Sequence, residues 1–196
     1  MTEHLFRDAN HFSERYGMNP PHSEVVLAQA HVQPGKTLDL GCGSGRNALY
    51  LASQGFGLTA LDVNPAALET LRAIVAQECL PNIDVHEYDM HEARIDGGDY
   101  DFIVCTVTLM FLRPERVADV IADMQRSTRP GGHNLIVTAM STDQHPCPVG
   151  FPSTLGEGQL REAYAGWQLL KYNEDLGTLH NGVPLQFATM LAQKPV

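Results

Sequence analysis

The sequence has 196 residues, a length that suits one domain or one domain with an appendage. Of these residues 43% are hydrophobic and 18% charged, which is typical of a soluble globular protein. Its formal net charge of −10 argues against nucleic acid or an anionic membrane as a partner. No apolar run is long enough to span a membrane and the polar start is not a signal peptide, so we expect a cytoplasmic protein. The cysteines form no C-x-x-C pair, which predicts reduced thiols and no metal site. They are Cys42, Cys79, Cys105 and Cys147.

The chain begins with an arm that we predict to be helical. The predicted helices are Asn10–Tyr16 and Ser23–Ala30, and the second ends near Pro34. An arm that precedes the first strand can fold over the open edge of a ligand site. Tyr16 and His22 are therefore candidate ligand contacts, although a histidine at a helix start is also commonly a solvated polar residue.

The stretch from Asp39 to Asn47 predicts a strand, a glycine turn and a helix. Glycines at alternate positions remove the Cβ atoms that would keep a ligand away from the backbone, and the new helix directs free N–H groups at the turn. A dinucleotide fingerprint would need glycine at Arg46, and a P-loop would need a Lys-Ser/Thr ending. The buried acid Asp39 favours a cationic ligand instead. The pattern resembles the first motif of class I S-adenosylmethionine (SAM) methyltransferases; the alternative is a plain strand–helix turn.

The second strand is predicted over Leu58–Leu61 and ends at Asp62 and Val63, before a helix over 66–76 that Asn64 caps. An acid at this place, some twenty residues after the glycine turn, can accept hydrogen bonds from both ribose hydroxyls of an adenosine. The alternative is that Asp62 only caps the helix.

The third strand, Ile83–Tyr88, ends at Asp89 and Met90, which suit an adenine amine and an adenine ring face, although a simple strand-end turn explains them as well. The fourth strand is predicted over Tyr100–Thr106. The stretch 107–112 that follows it is expected to form the floor under the methionine part of the ligand.

A helix is predicted from Pro114, closed by the turn Pro130-Gly131-Gly132 before a fifth strand over 135–140. The alternation of strands and helices predicts a parallel sheet with helices on both faces. A long loop over 141–152 follows, then a short helix over 159–164 and a final antiparallel hairpin of strands 167–172 and 185–192.

These predictions define an α/β fold, and the resemblance of the glycine turn implies a single-domain, Rossmann-like class I methyltransferase. Its seven-stranded sheet is mostly parallel, with an antiparallel C-terminal hairpin and helices on both faces. Residues 1–34 form the arm, 35–140 the cofactor-binding core and 141–196 the acceptor loop and hairpin.

Several blocks resemble the tellurite-resistance methyltransferases, the TehB family, across nearly the whole chain. This resemblance implies methylation of tellurite, and of related selenium oxyanions, with SAM as the methyl donor in a bacterial cytoplasm. The blocks are Asp39–Asn47, Leu109–Leu112, Pro130–Gly132, Val149–Pro152, Lys171–Asp175 and Phe187–Ala192.

Under this resemblance His180 is the candidate catalytic residue and would orient or neutralise the oxygens of an oxyanion. Family members can carry arginine after this histidine, whereas Asn181 follows it here and Gln186 begins the last strand. A small thiol or amine acceptor, a SAM-binding protein without turnover and a nicotinamide oxidoreductase are the alternatives. We expect a small-molecule or oxyanion acceptor and a monomer or homodimer. The candidate cofactor contacts are Tyr16, His22, Asp39, Gly41, Cys42, Gly43, Arg46, Asn47, Asp62, Val63, Asp89, Met90 and Thr106.

Overall fold

The computed structural model describes residues 7–179 and 182–196, which contain six α-helices, one short 3-10 turn and seven strands. The strands are ordered β3-β2-β1-β4-β5-β7-β6, which confirms the predicted seven-stranded sheet. No helix in these ranges is long and apolar enough to cross a membrane. The helices are α1 His11–Tyr16, α2 Ser23–Ala28, α3 Arg46–Ser53, α4 Pro65–Gln77, α5 Pro114–Ser127 and α6 Gln159–Ala163. The strands are β1 Lys36–Leu40, β2 Gly57–Asp62, β3 Ile83–Glu87, β4 Tyr100–Thr106, β5 Thr128–Ala139, β6 Gln168–Thr178 and β7 Pro184–Gln193.

The chain divides into two compact units, the first running up to Asp89 and adding Tyr100–Val104. In this unit β1 pairs in parallel with β2 and with the first part of β4, and β2 pairs in parallel with β3. Leucines on β1 and α3 are fully buried. This burial is typical of a parallel sheet that helices cover on both faces. The carboxyl ends of β1 and β2 therefore lie side by side, where a ligand site is expected.

The second unit contains Met90–Asp99 and Cys105–Val196. Here β7 pairs antiparallel with both β5 and β6, which confirms the predicted hairpin. The Asn134 amide donates to the Tyr164 hydroxyl at 2.9 Å, a fully buried bond that ties β5 to the end of α6. Lys194 Nζ donates to the carbonyls of Gln125 and Thr128 at the end of α5, which satisfies acceptors that a helix end leaves free.

Two predictions about this unit were wrong. Pro130-Gly131-Gly132 is not a turn between α5 and β5 but part of the strand, because Gly131 N–H donates to Lys194 O at 3.0 Å and Lys194 N–H donates to Gly132 O at 2.8 Å. The connection between the last two strands, predicted over 173–184, is also shorter than expected. Strand β6 continues to Thr178, since 176–178 pair with 184–186 of β7.

Candidate active site

The glycine turn at the end of β1 is held against the end of β2. The N–H groups of Gly41 and Cys42 both donate to Leu61 O, at 2.8 and 3.0 Å. Gly41 and Gly45 have φ values of 79° and 88°, which favour glycine. The Cys42 side chain is buried, and burial raises the pKa of its thiol, so it stays protonated. The turn therefore offers backbone and a neutral side chain to a ligand.

Asp39 is the unusual group of this site, because it is a carboxylate inside a buried strand. It is 1% exposed, and its Oδ2 has no hydrogen-bond partner among residues 7–179 and 182–196. Burial raises its pKa to about 7, although the Arg46 guanidinium and the Ala48 backbone N–H oppose this shift. A ligand ammonium group would supply the missing partner, so the site fits the amino-acid end of SAM.

Asp62 links the end of β2 to the glycine turn. Its Oδ2 accepts from Gly43 N–H at 2.7 Å and its Oδ1 accepts from Asn64 N–H at 2.9 Å. The side chain of Asn64 itself caps α4 by accepting from Ala66 and Ala67, as predicted. A carboxylate has about four lone-pair positions, so Asp62 keeps two for a ribose. The neighbouring Val63 is 54% exposed.

We expect Asp62→Ala to weaken SAM binding by about 2–4 kcal/mol, because two hydrogen bonds to a charged acceptor are lost. The contact with Gly43 N–H is lost as well, so thermal unfolding must be measured beside calorimetry with SAM. Asp84→Asn, an exposed change on β3, is the control. An unchanged affinity in a folded Asp62→Ala protein would place the ribose contact elsewhere.

The arm reaches this site through a backbone contact of His22. His22 N–H donates to Oδ1 of Asn47 at 2.9 Å, and Asn47 is a buried residue in the first turn of α3. The His22 ring caps α2, since its Nδ1 accepts from Glu24 N–H at 3.2 Å. The structure thus brings both predicted contacts, His22 and Asn47, to the glycine turn.

Tyr16 is placed differently from the prediction. Its hydroxyl donates to Oε1 of Glu78 at 2.6 Å, and Glu78 is the C-cap of α4. The N-terminal end of α4 lies next to Asp62, whereas Glu78 is at its C-terminal end. A helix of 13 residues separates the two ends by about 20 Å. The Tyr16 hydroxyl is therefore engaged away from the glycine turn, and its geometry gives no support to a cofactor contact.

The remaining predicted contacts lie at strand ends. Asp89 is half-buried just after β3 in the first unit. In the second unit Met90 is buried, and its carbonyl accepts from the Arg116 guanidinium at 2.8 Å. Thr106 is buried at the end of β4, and Val107 after it has a φ of 58°, a strained value for a β-branched residue. Such strain is typical of functional loops.

A polar cavity of about 560 Å³ lies beyond the end of β5 in the second unit. Among the residues that the structure describes, its lining contains three carboxylates, Asp143, Glu157 and Glu174, with His145 as the single basic side chain and neither lysine nor arginine. Glu174 is fixed there because its Oε1 accepts from Gly158 N–H at 2.8 Å and from the Tyr172 hydroxyl. None of the lining residues was predicted individually as a site residue, although all of them lie in the predicted acceptor region, 141–196. The other lining residues are Ser141, Thr142, Gln144, Gly156 and Gln186. The predicted catalytic residue His180 lies outside the described residues.

Comparisons with known proteins agree with this geometry. The family model for tellurite resistance protein TehB matches residues 4–191. Hemagglutinin 1 of Eikenella corrodens is 47% identical over 193 residues, which cover 95% of this chain and 64% of that protein. The probable S-adenosyl-L-methionine-dependent methyltransferase TehB of Haemophilus influenzae (strain 10810) is 46% identical over 191 residues, covering 94% and 66%. The crystal structure of TehB from Haemophilus influenzae matches with a TM-score of 0.91 at 45% identity, covering 95% of this chain and 66% of that one.

The strand order, the acid-preceded glycine turn and these similarities define the class I SAM-dependent methyltransferase fold. The chain belongs to the TehB family. It spans slightly less than two thirds of the length of these relatives.

Proposed function

We propose that this chain is a methyltransferase that binds SAM at the ends of β1 and β2 and transfers its methyl group to tellurite. The observation that carries the cofactor assignment is the buried Asp39 carboxylate, whose Oδ2 has no partner within the described ranges. The tellurite assignment is supported by membership of the tellurite resistance family. We propose a single methyltransferase domain with the arm over 1–34, the cofactor core over 35–140 and the acceptor region over 141–196.

Bound SAM supplies an electrophilic methyl group on a sulfonium, so an acceptor needs only a lone pair aligned with the sulfur–methyl bond. SAM held in this way would act as a methyl donor, with the electrons of the sulfur–methyl bond remaining on sulfur. The protein contributes alignment and exclusion of water. Asp39 holds the ammonium, Asp62 holds the ribose, and the turn lets the cofactor approach the backbone.

Tellurite carries a lone pair on its central atom and needs no base. In this proposal His180 orients or neutralises tellurite oxygens. Asn181 supplies an amide where a guanidinium would supply bidentate donors and a charge.

A second acceptor class is favoured by the cavity beyond β5. Carboxylates in its lining repel an oxyanion, and they favour a cation or a neutral molecule that donates hydrogen bonds. A small amine is therefore the alternative acceptor. Before methylation an ammonium must lose its proton, and a carboxylate or His145 in the cavity would accept it.

Calorimetry is the first test of the proposed function. We expect binding of SAM and of S-adenosylhomocysteine and no binding of NADH. Labelled methyl transfer should then be compared for tellurite, selenite and small amines, in the wild type and in His180→Ala. In the tellurite assignment the variant keeps its affinity for SAM and loses about 10²-fold in methyl transfer. Binding of NADH alone would refute the proposal, and transfer only to amines would refute tellurite as the acceptor.

A further inference from the structure

The arm is anchored to the first unit by a buried acid that the proposed methyl transfer does not use. The Glu78 side chain is 2% exposed at the end of α4. Its Oε2 lies 2.7 Å from Arg7 Nη2 and 3.2 Å from His11 Nε2. Its Oε1 lies 3.2 Å from Arg15 Nη1 and accepts from the Tyr16 hydroxyl. Four side chains of one short segment thus converge on a single carboxylate.

Such convergence is more than helix capping requires. A buried carboxylate is stable only when it is paired and hydrogen-bonded, and here every side-chain partner among the described residues comes from the arm. Burial raises the pKa of Glu78, but the hydrogen bonds from Tyr16 and His11 and the charge of Arg7 outweigh it, so the pKa lies below its ordinary value. Glu78 therefore stays ionised at neutral pH and keeps its attraction for the arm.

The arm contacts both ends of the layer formed by α3 and α4. Helices α3 and α4 begin at the carboxyl ends of β1 and β2. Their C-terminal ends, with Gln54 and Glu78, therefore lie near the amino ends of these strands. There Gln54 Nε2 donates to Arg7 O at 2.7 Å. Six residues after Tyr16, the backbone of His22 donates to Asn47 beside the glycine turn. The arm is fixed at both ends of the layer.

We propose that Glu78 is a positioning residue for the cofactor pocket: it anchors α1 and thereby holds His22 against Asn47. Asn47 lies in the first turn of the helix after the glycine turn, and its side chain accepts a hydrogen bond that the arm supplies. Glu78 does not touch the cofactor and acts only through the arm. This inference rests on the proposed SAM site.

The test compares Glu78→Gln with Glu69→Gln, an exposed change on the same helix. Phe12 stays buried in α1, so we expect Glu78→Gln to fold. Calorimetry should show an affinity for SAM about tenfold lower in Glu78→Gln and unchanged in Glu69→Gln. Hydrogen exchange of segment 17–22 should become faster in Glu78→Gln only. Tyr16→Phe is the substitute test if Glu78→Gln does not fold. It removes one of the four contacts, so we expect a two- to threefold loss of affinity for SAM.

A double-mutant cycle separates positioning from a general structural effect. In an Asn47→Ala background the contact with His22 is already absent, so Glu78→Gln should change the affinity less than twofold. An equal loss in both backgrounds would overturn the route through Asn47. An unchanged affinity in folded Glu78→Gln would overturn the role of Glu78. If the wild type binds no SAM, the proposed function fails instead.

Discussion

Asp39→Asn is expected to abolish most SAM binding while making the free protein more stable at pH 8. The amide is isosteric with the carboxyl group and can still accept from Ala48 N–H, but it offers no charge to a ligand ammonium group. Removing one partner of a buried charge pair costs about 3–4 kcal/mol, which is a loss of about 10²–10³-fold in affinity. Calorimetry with SAM measures it directly.

The stability change has the opposite sign because the pKa of Asp39 is raised by folding from 3.8 to about 7. The folded state binds this proton more tightly than the unfolded state, so the stabilising contribution is complete below pH 3.8 and is lost as the pH rises to about 7. The shift corresponds to up to ~4 kcal/mol of unfolding free energy. Asparagine does not ionise, so the variant avoids this loss.

Urea unfolding across a pH series checks this result. The difference in unfolding free energy between Asp39→Asn and the wild type should be largest at pH 8 and shrink as the pH falls toward 4. The wild-type affinity for SAM should fall below about pH 7, where Asp39 must release its proton to bind the cation. Asp84→Asn is the matched control. A variant that is destabilised at pH 8 and still binds SAM would show that Asp39 is not the ammonium partner.

Gly45→Ala is expected to destabilise the fold by about 2–5 kcal/mol. A Cβ at this position would overlap the Leu71 side chain on α4, which is fully buried and would have to shift. Displacing it costs about 1–3 kcal/mol, and the left-handed backbone adds about 1–2 kcal/mol for an alanine. Urea unfolding at pH 7 measures the sum.

Gly43→Ala is the companion change, because it has positive φ but no neighbouring atom within 4 Å of an added Cβ in the described structure. Only the backbone strain of about 1–2 kcal/mol remains. The methyl group does fill open space at the turn, so we expect the SAM affinity to fall at least tenfold. Equal destabilisation by the two substitutions would mean that displacing the Leu71 side chain costs no measurable free energy.

The features that could be predicted from the sequence are those encoded locally. The limits of β4 were predicted without error, and Asn64 was correctly placed as the cap of α4, because an apolar run and an Asn-Pro start each carry their own signal. The fold and the family were also confirmed, since the glycine turn and the other blocks that resemble the family are each short, continuous stretches of sequence. The roles of the individual site residues stay predictions.

What could not be predicted depends on distant partners. Pro130 and its two glycines have turn composition, and only pairing with Lys194 makes them strand. Glu78 looks like an ordinary acid at a helix end, since its partners lie some sixty to seventy residues earlier. The acid lining of the cavity combines three separate segments of the chain. No local pattern marks such groupings.

The position of β7 between β5 and β6 has a consequence for how the second unit forms during synthesis. When β6 leaves the ribosome, the strand that will separate it from β5 has not yet been made. At about 5–20 residues per second, the wait until β7 has been added is on the order of one second. For that interval the edges of β5 and β6 have unpaired N–H and C=O groups, the usual starting point for wrong strand pairing. Aggregation during expression should therefore respond to changes in β7 more than to changes in the parallel strands made earlier.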